Sequence, residues 1–325
     1  MELFKSESNV DFMAWRKPSL IISAILCVLA ATIIFVRGLD YGLDFEGGAM
    51  IEVHYKDPAE IADIRAALDS AGFPGAVVQG LGTRTDYAIR IKPHHEGNEA
   101  TETAGTVEAK ATTNKIAAEV LTALTKSGTD VSIKRSDFVG ASVGEELREQ
   151  GLVAVLFVIL GIMAYLWMRF EWRFAVAAVA SEIHDTLITV GIFALTGREF
   201  DLPALAAVLS VVGYSINDKV VVFDRVREIF RASRKGEPYE ILNRSINSTM
   251  SRTIMTGLTT SLAVGTLYFV GGPALENFGL IMLIGIFVGT LSSVFFANPI
   301  LLWLGVSKQD LMPKTKEDPE LAARP

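Results

Sequence analysis

Seven polar or ionisable side chains interrupt runs that are otherwise apolar enough to sit in lipid: Glu182, His184 and Asp185 in one run, Asn217, Asp218 and Lys219 in another, and Arg252 at the edge of a third. A charge near the centre of a bilayer costs about 2.5–3.5 kcal/mol on insertion scales, so such residues face the interior of a bundle and often mark an ion path. Asp218 is the most informative, because its side chain is too short to reach the headgroups as a lysine would. Tyr214 and Asp218 are one helical turn apart on the face that also carries Ser210, which draws a polar stripe along the helix. An antiparallel neighbour carrying Arg252 at the depth of Asp218 would supply a counter-ion, and a change of solvent access would let the carboxylate load a proton. The opposing reading makes Asn217, Asp218 and Lys219 a polar helix end that snorkels to the headgroups, and Arg252 an ordinary anchor. Glu182 and Asp185 share a face while His184 projects elsewhere, and the three would form either a proton relay or a hydrogen-bonded knot that locks helices together.

Chemistry of other kinds has little support. No G-x-x-x-x-G-K-[ST] loop and no nucleophile elbow occurs, and no constellation outside the apolar runs unites a nucleophile with a base. The chain therefore reads as a non-enzyme, with no cofactor and no metal, and with protons as the coupling ion. His94 and His95 are adjacent, but without a Cys or third His nearby they read as solvated loop residues. Lys and Arg total 30 against 37 Asp and Glu, which argues against a nucleic-acid surface. Cys27, the only cysteine, lies in an apolar run, so no internal disulfide is available to the rest of the chain.

The elements that must position these residues are membrane helices. Half of the 325 residues are hydrophobic and the mean hydropathy is +0.36, more apolar than a soluble domain of this size requires. About 20 apolar residues cross a hydrocarbon core. Six runs qualify or nearly do: Ser19 to Val36, Leu152 to Met168, Phe174 to Leu195, Leu202 to Phe223, Thr253 to Val270 and Phe278 to Leu304. The first ends in Arg37 without a small-residue cleavage site and reads as an uncleaved anchor. Lys5, Arg16, Lys17, Arg169, Arg173, the cluster from Arg225 to Arg244, and Lys308, Lys314 and Lys316 all fall on one side, which the positive-inside rule makes cytoplasmic, with both termini.

The polar stretch 37–148 then lies outside as a folded domain. Its pattern reads β-α-β-β-α-β, with strands at 49–55, 76–81, 87–92 and 131–138 and helices at 58–71 and 115–124, the split motif of an α+β ferredoxin-like fold. Within it, 93–114 is rich in Glu, Thr, Ala and Gly and reads as a mobile insertion. The domain plan is a cytoplasmic N-terminus 1–18, a first helix 19–36, the outer domain 37–148, helices two to six over 149–305, and a cytoplasmic tail 306–325. Small residues recur every fourth position at Gly257, Ser261 and Gly265 and at Gly285, Gly289 and Ser293, which suits close helix packing within the chain or against a companion bundle.

These residues resemble a known family. Gly42-Leu43-Asp44-Phe45-Glu46-Gly47-Gly48 after the first helix, Ile183-His184-Asp185, Val212 to Asp218 with Val222-Phe223-Asp224-Arg225, Ser251-Arg252-Thr253, and Gly271-Gly272-Pro273 together are similar to the SecF family of bacterial Sec translocase subunits. The resemblance covers nearly the whole chain outside 93–114 and the tail. It implies half of a resistance-nodulation-division-type pump in the bacterial inner membrane, completed by a SecD partner. It also implies association with the SecYEG channel, with YajC and with a translocating polypeptide, and use of the proton-motive force in late steps of translocation. The family's fourth-helix carboxylate and fifth-helix arginine are linked to proton flow, which falls on Asp218 and Arg252, with Asn217 in the same motif. Gly42, Asp44, Gly47 and Gly48 carry the outer motif. The family leads one to expect a smaller residue than Lys219. The competing readings are half of a small-molecule or lipid exporter, whose outer domains are usually larger, and a passive translocase scaffold.

Overall fold

The computed structural model describes residues 9–81, 83–91, 106–126, 130–233 and 236–307. Six helical rods are long and apolar enough to cross a membrane. They are α1 (Arg16–Arg37), α5 (Ala141–Arg169), α6 (Trp172–Thr196), α7 (Leu202–Ala232), α8 (Pro238–Val270), and α9 (Pro273–Ser292), the last continued by a π-turn (Ser293–Ala297) and α10 (Asn298–Trp303). Each run expected from sequence forms one rod. Most extend beyond the apolar stretch: α7 continues past Phe223 to Ala232 and α8 begins at Pro238, so both project past the hydrocarbon at the end remote from the outer domain.

Local sequence explains the helix limits. Gly38 and Gly197 stop α1 and α6 with positive φ of 76° and 64°, a conformation costly for other residues. The carboxylate of Asp201 caps α7 by accepting from Ala204 N at 2.7 Å, while Pro203, Pro238 and Pro273 stand in first turns, where a missing N–H costs nothing. Near the sixth rod's remote end, Asn298 Nδ2 donates to the Ser293 carbonyl at 2.6 Å, supplying a side-chain donor to the π-turn that precedes Pro299.

In the bundle α6, α7 and α9 are central and α1, α5 and α8 peripheral. α7 packs most closely on α9, and the reason is the glycine stripe: a Cβ on Gly285 would lie 2.2 Å from a Val211 methyl, and one on Gly289 2.8 Å from Ser215 Oγ. The matching stripe on α8 is used less, since Gly257 is buried but a Cβ on Gly265 would meet nothing. Gly285→Val should therefore overpack the α7–α9 seam at about 1–3 kcal/mol. The melting temperature of the detergent-purified chain reports this loss, and adding Val211→Ala should return part of it.

The domain read from sequence as the outer one inserts between α1 and α5. It contains β1 (Asp40–Tyr41), α2 (Leu43–Glu46), β2 (Gly48–Tyr55), α3 (Ile61–Ser70), β3 (Val77–Gly80), β4 (Asp86–Ile91), α4 (Thr106–Thr125) and β5 (Val131–Val139). The four longer strands pair antiparallel in the order β3-β4-β2-β5. Ala49, Ile51, Val53 and Tyr55 alternate inward on β2, and the last three pack in one core with Ile64 and Leu68 of α3 and Val120 and Leu124 of α4. α4 starts at Thr106, inside the stretch expected to be an insertion; its Ala- and Lys-containing composition sustains a helix. The rest of that stretch, with His94 and His95, lies outside the described residues, as do positions 308–325 of the tail. A short strand β6 (Glu199–Phe200), between α6 and α7, pairs parallel with β1 and ties the domain to the bundle.

Candidate functional site

Asp218 lies about 24 Å along α7 from Leu202 at 1.5 Å per residue, still within the span of a hydrocarbon core of about 30 Å. It is 8 % exposed and turned toward α8, where the Thr253 hydroxyl donates to Oδ1 at 2.6 Å. Its second oxygen, Oδ2, is buried without a partner. A carboxyl with one donor and one vacant oxygen, facing a helix seam at this depth, suits binding and release of a proton.

Several expectations about this site need correction. Arg252 is exposed on α8 and makes no ion pair among the described residues, so the direct Asp218–Arg252 contact is absent. The cause is helical phase: Thr253, one residue and 100° farther round, takes the position facing Asp218. Asn217 is likewise exposed, away from Asp218, on the face of α7 that also exposes Ala206, Ser210 and Gly213. Ser210 therefore does not continue an internal stripe with Asp218; its hydroxyl donates to the Ala206 carbonyl at 2.7 Å.

Lys219 does not snorkel. It is 0 % exposed and points from α7 into α6, donating to Glu182 Oε2 at 2.9 Å, Asp185 Oδ2 at 2.7 Å and Ser215 Oγ at 2.6 Å. Asp185 Oδ2 also accepts from Ser215 and from Ser292, each at 2.6 Å, and Oδ1 contacts His184 Nδ1 at 2.7 Å. The His184 ring stacks on Phe296 of the π-turn with centroids 4.1 Å apart. Glu182, His184 and Asp185 thus come together as a buried cluster, with His184 joined through Asp185 although its ring projects in its own direction. Sequence reasoning missed Lys219 as its organiser. The available signal was the spacing: Ser215 and Lys219 are one turn apart on one face, and two carboxyls in mid-membrane demand a cation.

The outer motif also has a physical account. Gly47 and Gly48 adopt φ of 73° and 117°, and a Cβ on Gly42 would lie 3.2 Å from Asp201 Cβ. Asp44 Oδ2 accepts from Leu202 N at 2.9 Å, at the first turn of α7. Gly144 lets α5 approach, since a Cβ there would stand 3.0 Å from Gly47 N. Beside this loop Arg90, buried on β4, donates to Glu46 Oε2 at 2.6 Å, Glu199 Oε1 at 3.0 Å and the Tyr41 carbonyl at 2.9 Å. The motif is a joint that seats the outer sheet on the N-terminus of the helix bearing Asp218. Burial pushes the carboxyls of Glu199 and Asp201 up, against the opposing pull of Arg90 on the first and Asn277 on the second.

Residues 119–307 match the family described as protein export membrane protein SecD/SecF, C-terminal, and residues 32–59 match the SecD/SecF GG motif. The chain is 40 % identical over 318 residues to the protein translocase subunit SecF of Vibrio alginolyticus, covering 97 % of this chain and 96 % of that protein. It is 39 % identical to the same subunit of Pseudomonas aeruginosa, covering 95 % and 96 %. Among solved structures it is similar to SecDF of Thermus, described as a translocon-associated membrane protein, with a TM-score of 0.79 and 33 % identity over 93 % of this chain. It spans 39 % of the length of that SecDF chain. A second SecDF structure, in a super-membrane-facing form, gives a TM-score of 0.65 at 34 % identity, covering 93 % and 40 %.

Proposed function

Because the chain belongs to the SecF family of protein translocase subunits, we propose that it promotes protein translocation by coupling proton binding at Asp218 to movement of its outer domain. Asp218, buried at membrane depth with a vacant oxygen, carries the reading. In it, the chain lies in the bacterial inner membrane with both termini cytoplasmic, and its ferredoxin-like domain projects outward. It forms one half of a resistance-nodulation-division-type pump whose other half is a SecD subunit. The exposed face of α7 at Ala206, Ser210, Gly213 and Asn217 suits that companion, being small and polar where a lone chain would meet lipid with apolar side chains. The complex works beside the SecYEG channel and YajC on an emerging polypeptide. Arg252 and Asn217 face outward and would act on the proton from the companion's side of the seam.

One charge crossing 100 mV releases about 2.3 kcal/mol, enough to bias a two-state motion and too little to unfold a domain, so the device ratchets. Asp218→Asn, in vesicles holding the complete complex and a gradient, should reduce translocation to the level seen without a gradient while the chain's abundance stays at wild type. Full gradient dependence in that variant would remove Asp218 from the carrier role, and a complex that passes no protons at all would be a passive scaffold. Proton flux that responds to small solutes but not to translocating chains would indicate an exporter.

A further inference from the structure

The hydrogen-bonded chain from Glu182 through Lys219 and Asp185 to His184 has two open ends, and nothing proposed for Asp218 uses it. Glu182 Oε1 and His184 Nε2 are buried without a partner, on residues 7 % and 6 % exposed. They line different grooves. Glu182 borders a pocket of about 310 Å³ walled by apolar side chains that include Ile34, Ile159 and Met163. His184 borders a groove of about 740 Å³ between α1, α6 and α9.

The charges do not balance, since two carboxyls face one ammonium. Among the described residues no packed element offers a second fixed cation: α5 presents Ile159, Ile162 and Met163, α1 presents Cys27, α9 with its π-turn presents Ser292 and Phe296, and His184, in contact with Asp185, adds a charge only if it takes up a proton itself. Asp218 shares α7 with Lys219 but turns to α8. An uncompensated charge in such surroundings costs several kcal/mol, and one added proton makes the cluster neutral. We propose that this cluster is a second proton-binding site, separate from Asp218, with its exchangeable proton on Glu182. The geometry accepts it: a hydrogen on Oε1 leaves Oε2 free to accept from Lys219, so every existing bond survives loading. The proposal does not depend on the role of Asp218.

Infrared titration of the full chain in its lipid-reconstituted complex tests this. The wild type should show a protonated-carboxyl C=O stretch that shifts in D2O and disappears as pH rises. Asp218→Asn should retain a band of this kind, and adding Glu182→Gln in that background should remove it. Loss of the band in Asp218→Asn alone, or its persistence in the double variant, overturns the assignment. A measurement without any variant keeps the test independent of folding. A hydrophobic carbodiimide adds to protonated carboxyls in apolar pockets, and peptide mass spectrometry of the labelled wild type should find the adduct on Glu182. Label on other carboxyls with none on Glu182 sinks the proposal.

Discussion

Lys219→Met is expected to destabilise the membrane bundle by about 3–5 kcal/mol, the usual cost of removing one partner from a buried ion pair. Lost hydrogen bonds alone would not reach that figure. Bonds between membrane helices average about 0.6 kcal/mol, so the two that Lys219 donates to α6 account for about 1.2 kcal/mol. The remainder comes from two carboxyls left facing each other, with Asp185 fully buried. Thermal unfolding of the purified chain should show the loss directly, and its abundance in membranes should fall several-fold. Lys219→Met combined with Glu182→Met should recover much of the stability, because Asp185 then keeps Ser215, Ser292 and His184 as partners. A single variant that melts like the wild type would mean that the ammonium does not bridge α6 and α7.

The six spans were legible because lipid imposes one period and one length, and each expected run became one rod. The order of the outer strands and helices was legible too, since Ile51, Val53 and Tyr55 keep strict alternation against a helix-covered face. Helix ends were read short, because Pro238 to Arg252 and Asp224 to Ala232 continue as helix in a polar register that hydropathy does not see. At the site, periodicity found the right residues and failed on rotation. Arg252 and Thr253 differ by one position, and only packing decides which of them faces Asp218. Lys219 was left without a partner for a related reason: a long cation near a helix end usually snorkels, yet the carboxyls of α6 outweigh that preference here. The joint at Gly42 to Gly48 rests on long-range contacts, such as Asp44 to Leu202, that no local pattern encodes.

Arg90→Ala should uncouple the outer domain from α7. Arg90 is the one buried cation on the described sheet, and its guanidinium reaches α2 through Glu46, β1 through the Tyr41 carbonyl and β6 through Glu199. β6 leads through Asp201 straight into the helix that carries Asp218, so any shift of α7 arrives first at this clamp. Removing the cation costs about 3 kcal/mol, the low end for a broken buried pair, because Glu46 and Glu199 are partly exposed. The pH dependence separates a clamp from mere packing. Glu199 already sits above its ordinary value through burial, and Arg90 is what opposes the rise. Without Arg90 the rise grows, so the variant is penalised most at neutral and higher pH and regains stability as falling pH protonates Glu199. The difference in melting temperature between Arg90→Ala and wild type should therefore narrow on acidification, and Arg90→Lys should restore part of it at pH 7. In translocation, Arg90→Ala should reduce the response to the gradient while leaving proton binding by the membrane carboxyls intact; an equal gap at every pH would reduce Arg90 to a packing residue.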